Sequence, residues 1–225
     1  MDINEERTTP YNSKYYKKHL SGSYLSAKEI LKYLINNLPI SSIIDFGCGA
    51  GTWCLAAKEL GIKIITGIDL HSHDSSYMLL PQNSYLKYDL RHALNLNQKY
   101  DLVISVEVAE HIDNCYSNIF IENLCRHGDL ILFSAAIPFQ GGTEHINEQP
   151  CSYWMNIFKI HNYLPLDCIR PHFWNTPEVE IWYKNNCILY IKKEIYHRII
   201  EMIALDSFPI DIVHPDMVKR IINKK

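Results

Sequence analysis

The chain has 225 residues, 47% hydrophobic and 21% charged, which suits one α/β domain with a full core and reads as globular rather than disordered. A net charge of −3 argues against a broad basic footprint for nucleic acid, although Lys14, Lys17 and Lys18 form a small basic cluster. Seven scattered cysteines without a C-x-x-C pair fit reduced thiols in the cytoplasm, not a disulfide framework or a zinc knuckle.

Residues 1–12 read as a polar lead-in, unlike a secretory signal, and no apolar run reaches the length of a membrane span. Residues 13–37 are helical in pattern. Tyr16, Leu20 and Tyr24 recur at four-residue spacing, then Ile30, Leu31, Leu34 and Ile35 line one face, with Gly22 expected to divide the segment into two helices. Ile43 and Ile44 lead a strand into Asp45-Phe46-Gly47-Cys48-Gly49-Ala50-Gly51, and residues 55–60 continue as a helix. Residues 63–69 read as a second buried strand, 71–83 as a polar, turn-rich segment, and 84–89 as a short third strand. The continuous apolar run from Tyr100 to Glu107 suits a central strand covered on both faces. A helix over 119–125 and a strand over 128–134 follow.

Strands alternating with helices predict a doubly wound, mostly parallel sheet, whose ligands sit beyond the carboxyl ends of the strands. Asp45, Asp69, Asp89 and Glu107 all fall at such ends. Residues 135–150 form a loop too long for a plain connector. Residues 152–163 are an aromatic amphipathic helix, 164–170 and 187–192 read as an antiparallel strand pair, and 194–225 read as terminal helices.

The glycine turn carries the first chemical signal. Alternating Gly47, Gly49 and Gly51 between a strand and a helix start allow a nucleotide-like ligand close to free N–H groups. Asp69 follows by about twenty residues, the range for an acid that takes both ribose hydroxyls. The D-F-G-C-G-A-G-T stretch resembles motif I of the class I S-adenosylmethionine (SAM)-dependent methyltransferases. That resemblance implies a seven-stranded Rossmann-like sheet and SAM as cofactor. It implies Asp45 for the amino group, Asp69 with Leu70 for the ribose, and Asp89 with Leu90 for the adenine amine. It also implies Glu107 at the cofactor and N-terminal helices over the pocket, with Tyr16 among the cofactor contacts; ordinary helix packing is the alternative for each tyrosine. The expected division is lid helices over 1–40, a SAM-binding domain over 41–193 and a helical extension over 194–225.

Two clusters bear on the acceptor. If a helix begins at Glu107, then Glu107, Glu110 and His111 share one face and make half of a site for Mg²⁺, Mn²⁺ or Zn²⁺. The E-x-x-E-H pattern resembles ubiquinone-biosynthesis O-methyltransferases and small-RNA 3′-terminal 2′-O-methyltransferases, and the resemblance to the RNA enzymes implies His145 as a further ligand. Without metal, Glu110 caps a helix and His111 acts as a base or simply packs. In the second cluster, His145, Asn147, Glu148 and Gln149 offer hydrogen bonds to a polyhydroxylated acceptor, and Tyr153 and Trp154 offer flat walls. His111 or His145 serves as general base. The segment from Gly141 onward, with the stretch from Arg170 to Asn185 and His214-Pro215, resembles bacterial methyltransferases found with glycan or natural-product genes. The expected activity is therefore O-methylation of a sugar or similar hydroxylated metabolite. An RNA-terminal ribose methyltransferase and a non-catalytic SAM-binding protein are the alternatives.

Overall fold

Consecutive apolar residues become strands here because helices cover both sides of the sheet. The computed structural model describes residues 13–70, 77–203 and 208–223, with side chains from residue 21 onward. Its strands are β1 (Ser42–Phe46), β2 (Ile64–Asp69), β3 (Tyr85–Lys87), β4 (Leu102–Val106), β5 (Leu130–Ser134), β6 (Tyr163–Leu166) and β7 (Ile188–Lys192). They form one seven-stranded sheet in the order β3-β2-β1-β4-β5-β7-β6, parallel except for β7, which runs against both its neighbours. Successive residues face opposite layers. Ile43, Leu102, Ile104 and Leu132 enter one core, while Ile44, Val103, Ile131 and Phe133 enter the other. The strand order reverses between β1 and β4, which opens a crevice at their carboxyl ends.

Residues 13–37 form a single helix, α1 (Ser13–Asn37), and not the expected two. Gly22 lies inside it where the Glu180 carboxylate presses against the backbone, and Ser26 Oγ ties the two segments by accepting from Glu180 N and donating to Gly22 O. The missing side chain thus serves close packing, not a break. Ala27, Ile30, Leu31 and Leu34 are fully buried, so the second half of this helix is core. The side chains of Lys14, Tyr16, Lys17 and Lys18, and the segment 71–76, lie outside the described residues.

The remaining α-helices are α2 (Thr52–Glu59), α3 (Ser117–His127), α4 (Cys151–Ile160), α5 (Ile169–Phe173), α6 (Ile181–Asn186), α7 (Tyr196–Ile200) and α8 (Pro215–Ile222). The strand expected over 164–170 stops at Leu166. Asp167 turns back to pair with Arg170, whose Nε and Nη2 donate to it at 2.7–3.0 Å, and α5 begins there. The fully buried guanidinium also donates to the carbonyls of Pro209 and Ile210, fastening the C-terminal segment to the sheet. No helix among the described residues is long and apolar enough to cross a membrane.

His127 closes α3 inside the core. Its Nδ1–H donates to Asn123 O at 2.7 Å, and Nε2 accepts from Leu96 N at 3.1 Å. Burial lowers its pKa, so the folded state holds the neutral ring. The unfolded chain therefore gains a proton first as pH falls through about 6.5, and stability is lost below that point. His111, its pKa pushed down to about 4 by burial and by His145, adds the same sign. Thermal unfolding followed from pH 7.5 to 5 should show a falling Tm below about 6.5; a flat profile would contradict the buried neutral rings.

Candidate active site

The glycine turn forms as expected. Gly47, Gly49 and Gly51 have φ of 81°, 54° and 84°, a region costly for side chains. The amides of Gly47 and Cys48 both donate to Ile68 O at 2.8 and 3.0 Å, pinning the turn to β2. Asp69 ends β2, and its Oδ2 accepts from Gly49 N at 2.8 Å, so the acid stands at the lip of the turn. Asp45 lies beneath, almost fully buried, and accepts from the Cys54 thiol at 3.7 Å. Burial pushes its pKa up to about 7, the Cys54 bond opposes this, and Asp69 adds to it. Asp89 follows β3 and is gripped by Arg91 Nε and Nη2 at 2.6–3.1 Å, which holds its carboxyl below the usual range. Leu70 is half exposed, whereas Leu90 is buried in the core.

The E-x-x-E-H stretch does not open a helix at Glu107. That residue takes φ 55°, and a short 3₁₀ turn spans Ala109–His111. Glu107 N donates to Ser134 O and Oγ at 3.1 and 3.0 Å, which draws the chain across to β5. Glu107 and Glu110 therefore do not share a helical face, and the ligand cluster consists of Glu110, His111 and His145. One ligand atom from each lies within 4.8 Å of the others. The side chain of Glu107 turns instead into a cage of three donors: Ser134 Oγ at 2.9 Å, Asn186 Nδ2 at 3.0 Å and Gln140 Nε2 at 2.8 Å.

Glu110 is fully buried, and neither of its carboxylate oxygens has a hydrogen-bond partner. Burial and the nearby Glu107 hold its pKa well up. A buried carboxylate without donors calls for a proton or a cation. Two imidazoles face it. His145 Nε2 lies 3.9 Å from Glu110 Oε1, and the His111 and His145 rings meet edge to face at 4.9 Å. His145 Nδ1 donates to Glu148 Oε1 at 2.9 Å, so Nε2 carries the lone pair toward Glu110. His111 Nδ1 donates to Glu144 O at 3.2 Å, leaving its lone pair on Nε2 as well.

Glu148 gathers the loop. Its two oxygens also accept from the amides of Phe139 and Gly141, at 2.9 and 2.6 Å. Gly142 lies directly under the His145 ring, where any Cβ would overlap it. Gly142→Ala should displace the ring and lower kcat by at least about tenfold, since a displacement near 1 Å can cost up to about 10²-fold. Cofactor affinity should hardly change. Steady-state kinetics and calorimetry check this, and an unaltered kcat would contradict the placement of His145.

Several residues expected to face the acceptor instead build the scaffold. Asn147 is buried, its amide donating to Ile112 O and Ser117 Oγ and its N–H to Glu110 O, so it holds the 3₁₀ turn in place. Gln149 Nε2 donates to Asn147 Oδ1. Trp154 is 2% exposed against Phe133, because the apolar face of α4 turns to the sheet. Tyr153 is half-buried and donates to Asn114 Oδ1. Sequence reasoning missed Ser134, Gln140 and Asn186; the only signal was a polar Asn-Asn pair directly before the last apolar strand.

Seven strands in this order, a glycine turn after β1 and an acid at each neighbouring strand end make this the fold of the class I methyltransferases. The chain belongs to the methyltransferase-domain family, whose model matches residues 16–134. It is similar to the mitochondrial ubiquinone biosynthesis O-methyltransferase of Dictyostelium discoideum, 26% identical over 216 residues, covering 85% of this chain and 63% of that protein. It is 32% identical over 114 residues to the ubiquinone biosynthesis O-methyltransferase of Rickettsia typhi, covering 48% of this chain and 44% of that protein. The chain thus spans less than two thirds of the length of these curated relatives. Its fold is similar to that of a sugar N-methyltransferase from Streptoalloteichus sp., with a TM-score of 0.60, 12% identity, and coverage of 80% of this chain and 92% of that one.

Proposed function

We propose that this chain transfers the methyl group of SAM to a hydroxyl oxygen of a small molecule, a sugar or similar hydroxylated metabolite. The observation that carries the reading is the donorless, buried Glu110 carboxylate facing two imidazoles, one of them oriented by Glu148. The relatives named as O-methyltransferases support oxygen over nitrogen. Phe139 and Ile146, 79% and 65% exposed on the same loop, suit the carbon face of a compact acceptor. A net charge of −3 gives the RNA alternative no support.

Asp69 would accept from the ribose hydroxyls and Asp89 from the adenine amine, while the cofactor's ammonium would favour the ionised carboxylate of Asp45. Glu110, His111 and His145 would hold a divalent cation, Mg²⁺, Mn²⁺ or Zn²⁺, and their mixed oxygen and nitrogen donors fit one. Such a cation, when bound, lowers the pKa of an acceptor hydroxyl. With no cation held there, that same Nε2 lone pair takes the hydroxyl proton instead, and the Glu148 carboxylate stabilises the imidazolium.

Methyl-labelled SAM incubated with a panel of sugars, catechols, amines and RNA ends tests the reading. O-methylated small-molecule product, lowered by chelator and restored by Mg²⁺ or Mn²⁺, is expected. Transfer only to amines or to RNA would contradict it.

A further inference from the structure

The cluster of Glu110, His111 and His145 is drawn from two segments far apart in the sequence. Glu110 and His111 lie on the 3₁₀ turn after β4, and His145 lies on the loop between β5 and α4. The neighbours of His145 each take hold of the opposite segment. Glu144 O accepts from His111 Nδ1 at 3.2 Å. Ile146 N and Asn147 N both donate to Glu110 O, at 2.9 and 3.0 Å. Glu144 takes φ 58°, a left-handed conformation that a residue with a side chain keeps only where its surroundings fix it. The stretch that supplies one member of the cluster thus holds the backbone or the ring of the other two.

Asn147 anchors this stretch. Its side chain is 3% exposed; Nδ2 donates to Ile112 O at 3.0 Å and to Ser117 Oγ at 3.2 Å, and Oδ1 accepts from Gln149 Nε2 at 3.0 Å. Ile112 follows the 3₁₀ turn and Ser117 opens α3, so one amide grips the chain just beyond Glu110 and His111. The Ile112 carbonyl can only accept, which fixes the orientation of the amide. Gln149 is tied in turn, its N–H donating to Ala136 O at 3.2 Å. A leucine of similar volume at 147 would leave the Ile112 carbonyl without this donor. The glycine turn is held from another side, by Ile68 O and Asp69 of β2.

We propose that Asn147 is the positioning residue that assembles the acceptor cluster. It docks the loop onto the 3₁₀ turn, and this docking sets His145 beside Glu110 and fixes the tautomer of His111, independently of the cofactor half of the site. The inference rests on reading the cluster as the acceptor site, but the hydrogen bonds it concerns exist before any turnover. With the amide gone, Glu144 O leaves His111 Nδ1, and the ring is no longer held with its lone pair on Nε2.

NMR of the whole chain labelled with ¹⁵N-histidine, at about pH 8 where imidazole is ordinarily neutral, tests this alongside calorimetry with S-adenosylhomocysteine. In wild type, His111 and His127 should each keep the proton on Nδ1, held by Glu144 O and Asn123 O. Asn147→Leu should release His111 into exchange between tautomers while His127 keeps its signals. Its kcat should fall at least about tenfold, with S-adenosylhomocysteine affinity within about threefold of wild type. A merely structural role would disturb His127 and the nucleoside as well. Ser117→Ala removes one partner of the amide and should show a smaller change confined to His111; it decides the matter if Asn147→Leu fails to fold. An unmoved His111 in the folded variants, or His127 and nucleoside affinity disturbed as much as His111, would overturn the proposal. If His111 alone responds while wild type transfers no methyl group, Asn147 still assembles the cluster and the methyl-transfer reading fails.

Discussion

His145→Ala lowers kcat for methyl transfer by about 10²-fold or more, the range for removing a general base, while SAM affinity stays within about threefold. The separation follows from geometry. His145 is held on the acceptor side by Glu148 and by its packing over Gly142. Glu148→Gln should cost less, about 10- to 100-fold, because it removes only the group that fixes the tautomer. Steady-state kinetics with calorimetry of SAM separate the two effects. A parallel collapse of SAM affinity in His145→Ala would place His145 in the cofactor site instead.

Asp69→Ala should weaken SAM by at least about 10²-fold. Two charge-assisted hydrogen bonds to a diol contribute at least about 1.5 kcal/mol each, and about 1.4 kcal/mol is tenfold. The same substitution removes the acceptor for Gly49 N, so the turn loosens as well. Asp69→Asn keeps an acceptor oxygen for that amide and loses only the charge; its defect should be intermediate. Calorimetry of both variants checks the order, and equal affinity across wild type and both variants would contradict a ribose on this acid.

Both faces of the central strands could be read from the sequence because each residue in turn is apolar, as Ile43-Ile44 and Leu102-Val103-Ile104 show. The glycine turn and Asp69 were legible for a related reason: local spacing alone fixes them. What failed was set at a distance. Gly22 read as a break because no local pattern announces Glu180, which packs on it from 158 positions away in the chain. The E-x-x-E-H stretch read as a helix face because the pull of Ser134 on Glu107 comes from the neighbouring strand. Asn147 and Trp154 carried suitable functional groups for an acceptor, and only their burial assigns them to the scaffold. Gln140 and Asn186 lack any periodic signal and meet at Glu107 only through tertiary folding. Glu148 was expected at the acceptor, and its bond to His145 Nδ1 has no signal in the local sequence.

The most direct measurement is a crystal structure with S-adenosylhomocysteine and Mn²⁺, with the metal located by anomalous scattering. The expected result is a ribose on Asp69, an anomalous peak bounded by Glu110, His111 and His145, and the sulfur facing that peak. Manganese bound elsewhere, or a sulfur turned away from His145, would contradict methyl transfer at this cluster.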